Sequence, residues 1–235
     1  MPDTPKLKVT GLASGYNGVG VLHDVSLDVR PAEIFALMGK NGMGKTTLLK
    51  SILGLVRPTA GAVEVDGQSI GGKRAAELIA SGIGYAPQEQ PLFQDLSIRD
   101  NLRLALRSDR ELKGALDRVA GHFPFLRDRL RQKAGTLSGG EQKMLILSRA
   151  LMLAPKLILI DEISEGLQPS VIDRIGAALR RERNENGTAV LIVEQHLDFA
   201  LAVADRWAVL KMGAIDDAGA VDDRARERII EHLKI

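Results

Sequence analysis

One short segment limits what this chain can fold into more than any other feature of its sequence. The segment reads Gly39-Lys40-Asn41-Gly42-Met43-Gly44-Lys45-Thr46 and fits the pattern G-x-x-x-x-G-K followed by Ser or Thr. It follows an apolar run at residues 34–38 and precedes a helical pattern at residues 47–53. This order predicts a strand, a loop and a helix whose first turn faces the loop.

Such a loop is suited to binding the phosphates of a nucleoside triphosphate. Its glycines let backbone N–H groups converge on a phosphate, and the following helix adds the positive end of its dipole. Lys45 would reach the β- and γ-phosphates, and the Thr46 hydroxyl would bind Mg²⁺. The residues expected to contact the nucleotide here are Gly39, Asn41, Gly42, Gly44, Lys45, Thr46 and Thr47.

Two adjacent carboxylates, Asp161-Glu162, follow a continuous apolar run at residues 157–160. Apolar strands often end in acidic turns, so the pair gains meaning only beside a phosphate-binding loop. Open α/β sheets bind their ligands at the carboxyl ends of strands, where these side chains would lie. We expect Asp161 to hold Mg²⁺ through water and Glu162 to orient and deprotonate the attacking water.

The hydrophobic pattern predicts the fold class. Continuous apolar runs at residues 34–38, 157–160 and 189–193 indicate parallel strands covered by helices on both faces. Alternating runs at residues 25–29 and 63–67 indicate half-buried strands, and residues 97–131 follow helical spacing. The prediction is an α/β P-loop NTPase with a mainly parallel core sheet flanked by helices, an N-terminal antiparallel β subdomain and an inserted helical lobe.

Composition excludes several classes of protein. The formal net charge is +2, from 32 basic and 30 acidic residues spread along the chain, so a nucleic-acid partner is not expected. Cysteine is absent, which excludes disulfides and thiol chemistry. Residues 1–8 lack the apolar core of a secretion signal, and no apolar stretch is long enough for a membrane span. The cytoplasm is the expected compartment.

A third motif, Leu137-Ser138-Gly139-Gly140-Glu141-Gln142, opens another apolar helix. Ser138 and Glu141 alone fit an ordinary capping box. The pair Gly139-Gly140 needs a further reason, because glycine in a first helical turn costs stability but exposes N–H groups to an anion. The sequence therefore predicts two helix starts of a phosphate-binding kind.

These motifs resemble the nucleotide-binding subunit of an ATP-binding cassette (ABC) transporter, over nearly the whole chain. The order that carries the resemblance is the phosphate loop, Gln88, residues 137–142, residues 157–162 and Gln195. The resemblance implies an ATPase whose two subunits meet head to tail, as a homodimer or as a heterodimer with a sibling ATPase. Ser138, Gly139 and Gly140 of one chain would cap the γ-phosphate held by the other.

The resemblance also implies partners and further site residues. Tyr16 would stack on adenine, and Gln88 would contact Mg²⁺ and the attacking water. Residues 88–100 would dock a coupling helix of an integral membrane permease, with an extracytoplasmic solute-binding protein as an indirect partner. Residues 1–95 and 155–235 would form the RecA-like core with the β subdomain, and residues 96–154 the helical signature subdomain.

The chain departs from the family pattern at three positions. Ile163 stands where the family usually has proline, and Gln168 stands where a loop aspartate is usual. The switch histidine of most members aligns with Gln195, while His196 comes one place later. Because a shift by one residue turns a strand side chain to the opposite face, we favour Gln195 over His196 as the residue that contacts the γ-phosphate.

The runs at residues 164–169 and 193–195 resemble the branched-chain amino acid and urea importer branch of the family. The expected function is therefore ATP hydrolysis that powers an importer of branched-chain amino acids, urea or short amides. The expected location is the cytoplasmic face of the inner membrane, as a peripheral subunit. Alternatives are an exporter ATPase, a soluble ABC ATPase acting on DNA or the ribosome, and a P-loop kinase or GTPase. The last lacks support because no N-K-x-D guanine-reading motif is present.

Overall fold

The computed structural model describes residues 4–88 and 92–234, which form a pair of β-sheets and a set of helices packed in layers. The strands are β1 (Leu7–Tyr16), β2 (Val19–Val29), β3 (Ile34–Met38), β4 (Ala60–Val65), β5 (Gln68–Ser69), β6 (Ile83–Ala86), β7 (Leu157–Asp161), β8 (Ala189–Glu194), β9 (Arg206–Lys211) and β10 (Ala214–Ala220). The helices are α1 (Lys45–Ile52), α2 (Ala75–Ala80), α3 (Ile98–Arg103), α4 (Leu112–Ala120), α5 (Phe125–Asp128), α6 (Gly139–Leu151), α7 (Pro169–Asn186), α8 (Leu197–Val203) and α9 (Ala225–Leu233). Residues 89–91 of the predicted docking segment, and residues 1–3 of the N-terminal segment, lie outside the described residues.

The larger sheet has the strand order β10-β9-β3-β8-β7-β6. Its strands run parallel from β9 to β6, and only the β9 to β10 pairing within this sheet is antiparallel among the described strands. Every residue of β3, β7 and β8 is buried, as expected of apolar runs covered on both faces. The predicted mainly parallel core sheet is confirmed.

The smaller sheet is antiparallel, with the strand order β2-β1-β4-β5. In β2, Val25 and Val29 are buried while Ser26 is exposed, which is the alternation of a half-buried strand. β4 ends at Val65, whereas the sequence pattern extended this strand to Gly67. Asp66 and Gly67 instead turn the chain with φ angles of 53° and 72°. The predicted N-terminal antiparallel subdomain is confirmed.

Two hydrophobic cores share strand β3. Ile34, Ala36 and Met38 belong to the core that contains the helical region. Phe35 and Leu37 belong to the core formed with α1 and the antiparallel sheet. Successive side chains of a strand point to opposite faces, so β3 is fixed from both sides. The phosphate loop therefore follows a strand that both layers hold in place.

The predicted helical region contains α3, α4 and α5. Ser97 caps α3 by accepting a hydrogen bond from the Asp100 N–H at 3.1 Å. Leu102 and Val119 of this region share one hydrophobic core with Ile160 of the parallel sheet. Because a single core spans both regions, the division at residues 96–154 stays a prediction.

A buried polar contact joins the helical region to α7. His122 and Glu182 lie 2.8 Å apart, with side chains 5% and 2% exposed. Asn186 also donates to Glu182 at 2.8 Å. Burial alone would raise the pKa of Glu182, but the hydrogen bonds from His122 and Asn186 outweigh it and hold this pKa below its ordinary value. The stabilisation is therefore present at neutral pH and is lost as the pH falls through the lowered pKa.

We expect His122→Leu to lower the free energy of unfolding at pH 7 by about 2 kcal/mol, because a buried carboxylate loses its partner. The double variant H122L/E182M should recover most of that loss, since it also removes the buried charge. Urea denaturation of His122→Leu, Glu182→Met and the double variant measures the coupling free energy.

His232→Leu is the matched control. His232 pairs with Asp216 at 2.8 Å, but these side chains are 32% and 37% exposed, so the loss should be much smaller. If both histidine variants lost the same free energy of unfolding, burial would not be what makes the His122 pair the more stabilising one.

Candidate active site

The phosphate loop lies between β3 and α1, as predicted. α1 begins at Lys45, two residues earlier than the sequence pattern placed it, and ends at Ile52. Lys45 and Thr46 therefore belong to the first helical turn, whose N–H groups have no partners within the helix. Gly44 precedes this turn with a φ of 103°, a conformation that glycine adopts without steric strain.

The loop borders a cavity of about 240 Å³. The residues that line it are Val21, Asn41, Gly42, Gly44, Lys45, Thr46, Thr47, Gln88 and Glu162. Nothing among the described residues lies within 4 Å of the point where a Gly42 Cβ would stand, so the backbone there is open to an anion. The open loop and the helix start together fit a bound triphosphate.

Three predicted catalytic residues meet at this cavity. Lys45 Nζ lies 2.9 Å from Glu162 Oε1, and the two side chains are 3% and 4% exposed. Lys45 also donates to the backbone oxygen of Lys40 at 3.0 Å. The other carboxylate oxygen of Glu162 accepts a hydrogen bond from Gln88 Nε2 at 2.8 Å. Both oxygens of the candidate base are thus held in place.

The backbone of Glu162 is in the left-handed region, with a φ of 43°. This conformation costs about 1 kcal/mol for a residue other than glycine. The Glu162 N–H donates to the Val193 oxygen at 2.9 Å, so strand β8 holds the turn that follows β7. Local strain therefore coincides with the residue predicted to act as the base.

Thr46 and Asp161 form the candidate Mg²⁺ site. The Thr46 hydroxyl donates to Asp161 Oδ1 at 3.2 Å. Burial raises the pKa of Asp161, and the neighbouring Glu162 carboxylate acts in the same direction, although the Thr46 hydrogen bond opposes both. A divalent cation would favour the ionised carboxylate, and oxygen donors of this kind suit Mg²⁺. Gln88 lines the same cavity as Thr46 and has a side-chain amide oxygen, so the chemistry of these residues fits the ion.

The strand end at Gln195 lies against the phosphate loop. Gln195 Nε2 donates to Asn41 Oδ1 at 2.7 Å. His196 is exposed and precedes α8 as its N-terminal flanking residue. The structure therefore places Gln195, rather than His196, in contact with the loop, while its role in hydrolysis stays a prediction.

Two other predicted nucleotide contacts are not among the described residues that line the cavity. Tyr16 ends β1 and is 44% exposed, and the described residues that line the cavity do not include it. Val21 of the adjoining strand does line the cavity, a residue that sequence reasoning did not single out. Gly39 lies at the start of the loop, where a Cβ would stand 2.7 Å from the Leu210 oxygen. Gly39 is thus required for packing.

The predicted capping box at the start of α6 is present. The Glu141 N–H donates to Ser138 Oγ at 3.3 Å, and the Ser138 N–H donates to Glu141 Oε2 at 3.0 Å. A Cβ at Gly140 would lie 2.9 Å from a methyl group of Val171, so packing against α7 explains that glycine. Around Gly139 the same position is open. Among the described residues lining the phosphate cavity, none comes from residues 138–140, so their predicted role requires a second chain.

Glu194 is a buried residue whose importance the sequence did not reveal. It is 1% exposed and accepts hydrogen bonds from Ser164 N at 3.1 Å and Ser164 Oγ at 2.6 Å. Burial raises the pKa of Glu194 to about 7, the hydrogen bonds from Ser164 partly oppose this, and the Glu162 charge adds to it. An acidic residue at the end of the apolar run at residues 189–193 was the available signal.

A family model described as ABC transporter matches residues 22–165, which is more than half of the chain. The chain belongs to the ABC transporter family. Members of this family bind and hydrolyse ATP, so the chain is an ABC ATPase subunit. Within residues 4–88 and 92–234, no helix has the length and apolar character needed to cross a bilayer.

Individual ABC proteins match over most of their length. The branched-chain amino acid transport ATP-binding protein BraG of Pseudomonas aeruginosa is 38% identical, covering 87% of this chain and 89% of BraG. The lipopolysaccharide export ATP-binding protein LptB of Escherichia coli is 37% identical, covering 97% of this chain and 95% of LptB. A solved dimeric bacterial ABC transporter cassette superimposes with a TM-score of 0.82 at 25% identity, covering 92% of this chain and 99% of that one.

The raised pKa of Glu194 predicts a pH-dependent stability. The folded ABC subunit keeps this proton up to about pH 7, whereas the unfolded chain releases it near 4.5. The stabilisation is complete below the lower value and is lost as the pH rises through the higher one, on the order of 3 kcal/mol in all. We expect Glu194→Gln to remove this component, so that its unfolding free energy changes less between pH 5 and pH 8.

Urea denaturation at several pH values measures the effect, and Glu231→Gln on the exposed face of α9 is the matched control. The unfolding free energy of the control should depend on pH as that of wild type does. If the unfolding free energy of Glu194→Gln changed with pH as much as that of wild type, the Glu194 carboxyl group would already be ionised at pH 5.

Proposed function

We propose that this ABC ATPase binds Mg·ATP at the candidate site and powers an importer of branched-chain amino acids, urea or short amides. The observation that carries the catalytic proposal is the meeting of Lys45, Glu162 and Gln88 beside the phosphate loop. The importer proposal is supported by the runs at residues 164–169 and 193–195 and by the similarity to BraG.

In this proposal the phosphate loop and the start of α1 hold the triphosphate. An ammonium group has three N–H donors, and phosphate oxygens would compete with Glu162 for those of Lys45. Tyr16, at the end of β1, would stack on adenine. Val21, which lines the cavity, would lie beside the adenine. Gln195, linked to Asn41, would donate a hydrogen bond to the γ-phosphate.

Glu162 would act as the general base. A water molecule attacks the γ-phosphorus, its proton passes to the Glu162 carboxylate, and the bond from phosphorus to the bridging oxygen breaks to give ADP and phosphate. Gln88, bound to Glu162, would orient that water. Thr46 and Gln88 would hold Mg²⁺ together with Asp161, which would act through water, and the ion would neutralise charge on the phosphate oxygens.

A dimer would complete each site. Gly139 has open space around it, and the start of α6 offers N–H groups to an anion. Ser138, Gly139 and Gly140 would therefore cap the γ-phosphate bound by the partner subunit. The partner would be a second copy or a sibling ATPase, and the similarity to a dimeric cassette supports this arrangement.

A groove at the edge of the parallel sheet is the proposed docking site for a permease helix. Its volume is about 320 Å³, and Ile79, Tyr85, Leu104 and Ile146 line it together with Pro87, just before the predicted docking segment. Ile79 and Leu104 are 41% and 54% exposed. An apolar helix of an integral membrane subunit would cover these side chains. The ATPase would then be a peripheral subunit, and the proposed location is the cytoplasmic face of the inner membrane.

Glu162→Gln tests the catalytic proposal. We expect it to keep ATP binding, because glutamine retains the size and one acceptor oxygen, and to lose hydrolysis by about a hundredfold or more, because it cannot take a proton. Phosphate release and binding of a fluorescent ATP analogue measure the two effects, and ATP-bound dimer should accumulate. Glu231→Gln is the control, and full turnover by Glu162→Gln would remove Glu162 as the base.

Leu104→Asp tests the docking groove. A charge in the groove opposes burial of an apolar helix, so we expect this variant to lose copurification with membrane subunits from native membranes. Ile230→Asp on α9 is the matched control, since Ile230 is 38% exposed, and this variant should still copurify with the membrane subunits. Melting temperatures verify folding, and recovery of wild type with ribosomes or DNA instead would contradict the transport proposal.

The similarity to LptB supports an exporter ATPase as the second candidate. The two candidates differ in what the copurified membrane subunits recognise. An associated solute receptor that binds branched-chain amino acids, urea or short amides supports import. Copurified subunits that bind an envelope lipid and lack such a receptor would favour export.

A further inference from the structure

The helix that begins after Ser138 also contacts the candidate active site of its own chain. α6 extends from Gly139 to Leu151. Lys143, little more than one turn from Ser138, donates from Nζ to the backbone oxygen of Gln88 at 3.0 Å. One helix therefore carries both the Ser138 end and a direct contact to the Gln88 segment.

Gln88 stands in the middle of a series of hydrogen bonds. Its side-chain amide donates to Glu162 at 2.8 Å and to Glu165 at 3.0 Å, while its backbone oxygen accepts from Lys143. A shift of Lys143 with α6 would therefore move the residue that holds the candidate base.

Acidic groups surround the Lys143 side chain, which is partly buried. Burial lowers the pKa of Lys143 and outweighs the opposite effect of the acidic residues Glu165, Glu194, Asp161 and Glu162. A cation attracted by several carboxylates is held in one position more firmly than a neutral side chain of the same length. The hydrogen bond to Gln88 thus has electrostatic support.

We propose that Lys143 is a positioning residue that transmits nucleotide binding at the Ser138 end of α6 to Gln88 and Glu162 of the same chain. The inference rests on the proposed function, in which Ser138 contacts the nucleotide of the partner subunit. Because hydrogen bonds join successive turns of a helix, a shift at Ser138 carries Lys143 with it. Each subunit would then couple the two ATP sites of the dimer.

The test compares Lys143→Met with Lys143→Arg in steady-state ATP hydrolysis over a range of ATP concentrations. Methionine has a similar length and no N–H donor, whereas arginine keeps both donors and charge. For Lys143→Met we expect kcat to fall about tenfold, as for loss of one charge-assisted hydrogen bond, and the Hill coefficient for ATP to fall to about one. Lys143→Arg should keep most of the wild-type kcat and most of the wild-type Hill coefficient.

Binding of a fluorescent ATP analogue to each variant should stay within about twofold of wild type, because the described residues lining the phosphate cavity do not include Lys143. Lys113→Met, an exposed lysine on α4, is the matched control and should change neither kcat nor the Hill coefficient. Melting temperatures separate a positioning role from a structural one.

An unchanged Hill coefficient in Lys143→Met, or a wild type without cooperativity, would overturn the coupling. Equal losses in the methionine and arginine variants, or losses that follow the melting temperature, would assign Lys143 to packing. A wild-type chain that binds ATP but never hydrolyses it would instead overturn the proposed function, so the two failures are distinguishable.

Discussion

The buried ion pair between Lys45 and Glu162 is the interaction on which the candidate site depends. With exposures of 3% and 4%, neither charge is solvated by water, and leaving either one alone at this depth would cost about 3 kcal/mol or more. The pair forms because Lys45 follows β3 and Glu162 follows β7, two parallel strands separated by β8 alone in the sheet. Their carboxyl ends meet at one edge, where the phosphate loop also lies.

The neighbours of this pair come from segments distant in the sequence. Gln88 holds one carboxylate oxygen of Glu162, and the Val193 carbonyl of β8 holds its backbone in a left-handed turn. The site is therefore assembled from the ends of several strands, and its geometry depends on the packing of the whole parallel sheet. The strained backbone conformation belongs to Glu162, the residue on whose position hydrolysis would depend most.

Local pattern predicted much of the fold and some of the site. The phosphate loop, the buried strands and the Ser138 capping box follow from short-range spacing, which the sequence displays directly. The contacts of Lys143 with Gln88 and of Glu194 with Ser164 join residues 55 and 30 positions apart. Such contacts depend on how helices and strands pack, and no periodicity encodes them. Gly140 is a further example, because the side chain that leaves no room for a Cβ there is Val171 of α7, which is distant in the sequence.

The sharing of β3 by two cores has a mechanical consequence. One layer holds this strand through Ile34, Ala36 and Met38, and the other holds it through Phe35 and Leu37. Residues of β7, β8 and β9 alternate between the same two cores, so both layers hold the parallel sheet as a whole. If the helical layer shifted, the phosphate loop and the acidic residues at the carboxyl ends of β3 and β7 would keep their mutual distances, and the start of α6, which lies outside the sheet, would move relative to them.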